Sequence, residues 1–173
     1  MWRAYAHELN AASVALITPW LAIMWARTEH GAPLPDPLPR SFTGPAIMLR
    51  AMACECYLKA LGLQRGKFLL AVGGRFKKIA GLKNQHDLSG LARVVDFQVT
   101  HEEEAALKGL SRSISAGRYP IPLHWSEAGR LTPDGRIDVS GSSGWGWDSV
   151  GDGIMARLVQ ADQLPPSQPA TTP

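Results

Sequence analysis

Between Lys59 and His86 the chain carries Lys59, Arg65, Lys67, Arg75, Lys77, Lys78 and Lys83 and no Asp or Glu. Seven positive charges in one stretch of a protein with a net charge of +3 leave the remainder net acidic. Segregated lysines and arginines attract phosphates, so Lys67, Arg75, Lys77, Lys78 and Lys83 are candidate contacts for a nucleic acid or nucleotide. The same run also reads as a solvated basic loop. Phe68 and Phe76 lie within it, but Phe68 is expected in the core and neither makes a base-stacking platform alone.

Other reactive residue types lack the spacing that their chemistry needs. Cys54, Cys56, His86, Asp87 and His101 match no zinc-ligand pattern, and two cysteines two apart in a helix point to different faces and cannot bridge. The run His101-Glu102-Glu103-Glu104 follows Thr100, which with Glu103 makes a capping box, so it reads as a helix start and not as a metal site. Gly73-Gly74-Arg75-Phe76-Lys77-Lys78 has the wrong spacing for a phosphate-binding loop, and Gly144-Trp145-Gly146-Trp147 lacks a strand-to-helix context. No metal and no cofactor is expected. Two cysteines without a bridge suit a reduced, cytoplasmic chain.

These residues are positioned by helices. At 173 residues with 45% hydrophobic content, one domain spanning 1–164 is expected. Trp2, Tyr5, Leu9, Ala12, Leu16 and Trp20 mark a first helix ending near His30, interrupted or kinked at Thr18-Pro19. Ala11 to Ala26 has no charge over 16 residues behind Arg3, which is open to reading as the apolar region of a signal peptide or a membrane anchor; the nearby His7 and Glu8, the Ser13, Thr18 and Pro19 within it, and a length below the ~20 residues of a membrane span favour a buried core helix. A proline-rich linker covers 31–44. A second helix runs from Gly44-Pro45 to about Leu70, with Glu55 and Lys59 as a surface ion pair. Asp87 caps a third helix to about Val99, and a fourth runs from Thr100 to Gly117. A Gly/Ser-rich insertion covers 126–153, with a turn at 132–135 and a short strand in Arg136–Ser140. A last helix follows from about Ile154 to Gln163, and 165–173 is an expected disordered tail. The fold class is therefore all-α, a bundle of four or five helices with a glycine-rich insertion before the last.

Three segments in this order carry a family resemblance: Glu55–Leu63 (ECYLKALGL), His86–Leu91 (HDLSGL) and Gly117–Pro122 (GRYPIP). They resemble the second helix, the start of the third helix and the turn before the last helix of the HEPN domain, a helical module common in prokaryotic toxins and defence proteins. The resemblance implies a HEPN-type bundle that pairs as a homodimer. Many such domains are metal-independent ribonucleases whose mark is an arginine, four to six residues, and a histidine; here these are Arg118 and His124, with Tyr119 beside them at the expected RNA contact. The arginine would hold a phosphate and the histidine would move a proton.

The pattern departs from the family where Tyr119 replaces the usual polar residue and where Pro120 and Pro122 forbid a regular helix between the pair. The expectation is an RNA-binding protein, in its active form an endoribonuclease of a defence or toxin–antitoxin system, whose partner is a cognate antitoxin or nucleotidyltransferase. The alternative is a catalytically inactive module that binds a nucleotide, nucleic acid or protein. No membrane partner is expected.

Overall fold

The computed structural model describes residues 2–33, 43–70, 79, 81–82, 84–118, 130–131, 137–138 and 149–163. Its helices are α1 (Trp2–His30), α2 (Thr43–Gln64), α3 (Leu88–Val94), α4 (His101–Arg118) and α5 (Ser149–Gln163). Two short strands, β1 (Arg130–Leu131) and β2 (Ile137–Asp138), pair antiparallel with Arg130 opposite Asp138. The protein is an all-α helical bundle with one small hairpin. The expected linker and tail lie largely outside the described residues, as do the tryptophans of the glycine-rich stretch.

The bundle is organised around α2, which packs against α1, α3, α4 and α5. Every residue from 53 to 60 is buried. A helix apolar on all sides is one that has neighbours on all sides, and here Ala51, Ala53, Tyr57, Leu58 and Leu61 meet Leu88 and Leu91 of α3, Leu107, Leu110 and Ile114 of α4, and Ile154 and Leu158 of α5 in one core. Among the described residues α1 packs chiefly along α2, with Ala6, Leu9, Ser13 and Ile17 inward and the Ser13 hydroxyl donating to the Ala46 carbonyl at 2.9 Å.

The expected buried core helix at the amino terminus is instead an edge helix. α1 is long and apolar enough to cross a membrane, and only 18% of its most apolar window is buried in the bundle. It runs continuously through Pro19. The Thr18 hydroxyl donates to the Val14 carbonyl at 2.7 Å, within the turn where proline supplies no donor.

Helix ends explain the other differences from the sequence reading. α2 stops at Gln64 rather than near Leu70 because Gly66 adopts a left-handed φ of +67°. The Gly66 N–H then reaches the Leu63 carbonyl and the Lys67 N–H reaches that of Gly62, a Schellman closure. α3 ends at Val94 rather than Val99 by the same device with a non-glycine residue, Asp96 at φ 55°. At its other end Asp87 accepts the Gly90 N–H at 3.0 Å, and the Ser111 hydroxyl of α4 accepts the Leu88 N–H at 2.9 Å. α5 begins five residues before Ile154, taking up the last residues of the expected insertion.

Phe68 folds back over the α2 terminus so closely that a Cβ on Gly62 would meet its ring at 2.2 Å. Alanine is the better helix former by ~1 kcal/mol, but overpacking of this kind costs about 1–3 kcal/mol. Gly62→Ala should therefore lower the urea unfolding free energy; an increase would mean that Phe68 does not occupy this position.

Candidate functional site

Because α2 is enclosed, its charged residues lie inside the protein. Glu55 and Lys59 are only 7% and 8% exposed, not the surface pair that their spacing suggests. One Glu55 carboxylate oxygen accepts from the Lys59 ammonium, and the other meets His86 Nδ1 at 2.9 Å. The Lys59 nitrogen also lies 6.0 Å from the centre of the Trp2 ring. His86 is brought there by a built turn: its N–H donates to the Asn84 side chain at 2.9 Å, and Asp87 next to it caps α3.

The result is a carboxylate between an ammonium and an imidazole at the junction of α1, α2 and the entry to α3. An imidazole held through Nδ1 has its orientation set by the carboxylate, the arrangement that proton-transfer histidines use. The His86 side chain keeps a quarter of its surface exposed. The same contacts clip the chain before α3 to the central helix.

Three other polar links surround α2. The Tyr57 hydroxyl meets His7 Nδ1 at 2.9 Å across α1 and α2. Buried Arg50 pairs with Asp152 at the start of α5. Desolvation pushes the Cys54 thiol up to about 12, against the lowering effect of Arg50, and Cys56 up to about 11, reinforced by the charge of Glu55. Both stay protonated at neutral pH and are poor nucleophiles. Cys54 instead packs its sulfur 3.0 Å from that of Met155.

The residues expected to bind phosphate are divided. Lys67 pairs with Asp96 at 2.8 Å, and Arg65 donates to the Val95 and Asp96 carbonyls at 2.5 and 3.1 Å. With Lys59 on Glu55, three of the seven charges in the basic run therefore hold the fold together. Arg75, Lys77, Lys78 and Lys83 lie outside the described residues, as do Tyr119 and His124. Arg118 is the last residue of α4, one beyond the expected stop at Gly117. A shallow cleft of about 270 Å³ beside the α3 terminus includes Ser89, Arg93 and Glu104. Its charges are internally satisfied, since Glu104 takes Lys108 at 2.8 Å, Ser89 at 3.1 Å and Arg93 at 3.7 Å.

The capping box forms as the sequence indicates: the Thr100 N–H donates to Glu103, and the Glu103 N–H donates to the Thr100 hydroxyl. Arg157 of α5 adds a contact to Glu103 at 2.5 Å and another to the Gln98 carbonyl, with its guanidinium 4.9 Å from the centre of Phe97. Among the described residues, no three His, Cys, Asp or Glu side chains gather as a metal-ligand set.

No family model, curated protein or solved structure matches the chain. The Glu55–Lys59–His86 cluster was missed by sequence reasoning. Its one local signal is a pair of opposite charges embedded in an apolar helix; nothing in the sequence joins Glu55 to a histidine 31 residues away.

Removing one partner of a buried pair leaves an uncompensated charge at a cost of roughly 3–5 kcal/mol, whereas replacing the pair by apolar residues is often nearly neutral. Glu55→Ala should lower the urea unfolding free energy by about 3 kcal/mol. The double variant Glu55→Leu/Lys59→Met should recover most of it, and equal losses would show that the pair is solvated.

Partial desolvation raises the Glu103 carboxyl, but the Thr100 N–H and Arg157 together outweigh it and hold it below its ordinary 4.5. Its stabilising effect is complete above that pH and is lost as pH falls through the lowered folded value. Thermal melts should show a shallower loss of stability below pH 4.5 for Glu103→Gln than for wild type.

Proposed function

We propose that this chain is a HEPN-like RNA-binding protein that cleaves RNA without a metal. Its supporting observation is that α4 extends to Arg118, so the arginine closes the helix from which the GRYPIP segment departs. That is where the family resemblance expects the phosphate-holding group. The order of helices agrees: ECYLKALGL lies in the central α2, and HDLSGL opens α3 at its Asp87 cap.

In this reading His124 takes the proton from a ribose 2′-hydroxyl as the 2′-oxygen attacks the adjacent phosphorus. The 5′-oxygen leaves and takes up a proton, and Arg118 balances the charge that grows on the phosphoryl oxygens. Lys77, Lys78 and Lys83 would track the RNA backbone, and an antitoxin or nucleotidyltransferase would restrain the activity. A second reading, a catalytically silent module that binds a nucleotide, nucleic acid or protein, is favoured by the presence in the sequence of Pro120 and Pro122, residue types that forbid a regular helix between Arg118 and His124.

Purified protein with EDTA present should cleave single-stranded RNA, and Arg118→Ala and His124→Ala should each reduce the rate by about 100-fold or more with the circular dichroism unchanged. Wild-type rates in either variant would remove this mechanism. RNA affinity that survives in both variants and falls, with a smaller salt dependence, in Lys77→Glu/Lys78→Glu would establish the binding module instead.

A further inference from the structure

α4 separates its charges along its length. Its acids, Glu102, Glu103 and Glu104, all lie in the first turn. From Ala105 to Ser126 there is no Asp or Glu, while Lys108, Arg112 and Arg118 fall in that stretch. Lys108 and Arg112 follow Glu104 at intervals of four and so share its face of the helix. Both are exposed. Lys108 reaches back to Glu104 at 2.8 Å, and Arg93 of α3 lies 3.7 Å from the same carboxylate oxygen. One carboxylate therefore serves two cations, and Arg112 has no ion pair among the described residues. The Asp87 carboxylate, at the start of α3, is turned to the Gly90 N–H of its own helix.

We propose that this face is a phosphate track on which Arg93, Lys108 and Arg112 hold the backbone of a single-stranded RNA leading to Arg118. The inference rests on the RNA-binding reading above and adds to it a surface, a direction of approach and an absence of base preference. The helical rise sets Arg112 about 6 Å beyond Lys108 and Arg118 about 9 Å beyond Arg112, so one extended strand meets them in turn. The exposed pair between Lys108 and Glu104 is of a kind held weakly in water, and a phosphate displaces the carboxylate from it.

The helix dipole does not account for these cations. Its influence fades within the last turn, whereas Arg112 and Lys108 stand six and ten residues before Arg118. A folded protein partner fits less well than a polyanion. Among the described residues no large apolar side chain is exposed on α4, so the face lacks the apolar anchor on which protein interfaces depend. It also lacks an aromatic platform on which bases could stack. Charge alone is left, and contacts to phosphates position a strand without reading its sequence.

Binding alone tests the track. Fluorescence anisotropy is measured with labelled oligouridylate and oligoadenylate of ~12 nucleotides, in a His124→Ala background that keeps the RNA intact. Lys108→Gln/Arg112→Gln should leave the circular dichroism unchanged and weaken both RNAs at least ~10-fold near 0.1 M salt. The slope of log affinity against log salt should shrink by about 1.4, which is ~0.7 for each of two phosphates, and each single substitution should give about half of that. Lys108→Arg/Arg112→Lys, which keeps both charges, should restore binding. An unchanged slope, or a loss confined to one of the two RNAs, would overturn the track and leave the ribonuclease reading standing. A parent protein that binds neither RNA would overturn both. The expected slope change in a protein whose wild type cleaves no RNA would establish the track and remove the ribonuclease reading.

Discussion

The enclosure of α2 is the constraint on which the rest of the structure depends. With neighbours on every side, a helix can keep a charge only if a partner is brought to it, since a buried charge without one is costly. Glu55 and Lys59 satisfy each other within a turn, and His86 completes the second carboxylate oxygen from the far end of a long connection. Arg50 is answered by Asp152 of α5. Each pairing also fixes the position of another element, so the charges of the central helix determine where the entry to α3 and the start of α5 attach.

The bundle is closed by its helix ends as much as by its core. The left-handed residues Gly66 and Asp96 end α2 and α3 in the same way, and Arg65 and Lys67 from the first of these ends grip the second. At the start of α4, just beyond that second end, Arg157 holds both the capping box and the preceding Gln98 carbonyl. Short helices such as α3 owe their stability to such contacts and to packing, because a seven-residue helix is marginal by itself.

This economy has a functional consequence. Cations engaged by Glu55, Asp96 and backbone carbonyls offer less to a phosphate than a free basic loop would. In the proposed RNA-binding reading, phosphate contact is therefore assigned to the later members of the run, Arg75, Lys77, Lys78 and Lys83, which lie outside the described residues, together with Arg118 at the α4 terminus. Among the described residues α1 packs substantially against α2 alone, and Tyr5, Val14, Leu21 and Trp25 on its outer side are exposed.

The sequence by itself determined the helical class, the existence of each helix, the Asp87 cap and the Thr100–Glu103 box, because periodicity and capping are local properties written within a few residues. It misplaced the ends of α2 and α3: Gly66 is an ordinary stop signal overshadowed by Gly73-Gly74, and Asp96 gives no warning of a left-handed turn. It also set Glu55 and Lys59 on the surface and α1 in the interior. Only the tertiary structure decided those, because whether a residue is buried depends on how many helices surround its own. The number of neighbours around α2 and α1, like the meeting of Glu55 with His86, follows from contacts between segments far apart in the chain, which spacing along one helix cannot encode.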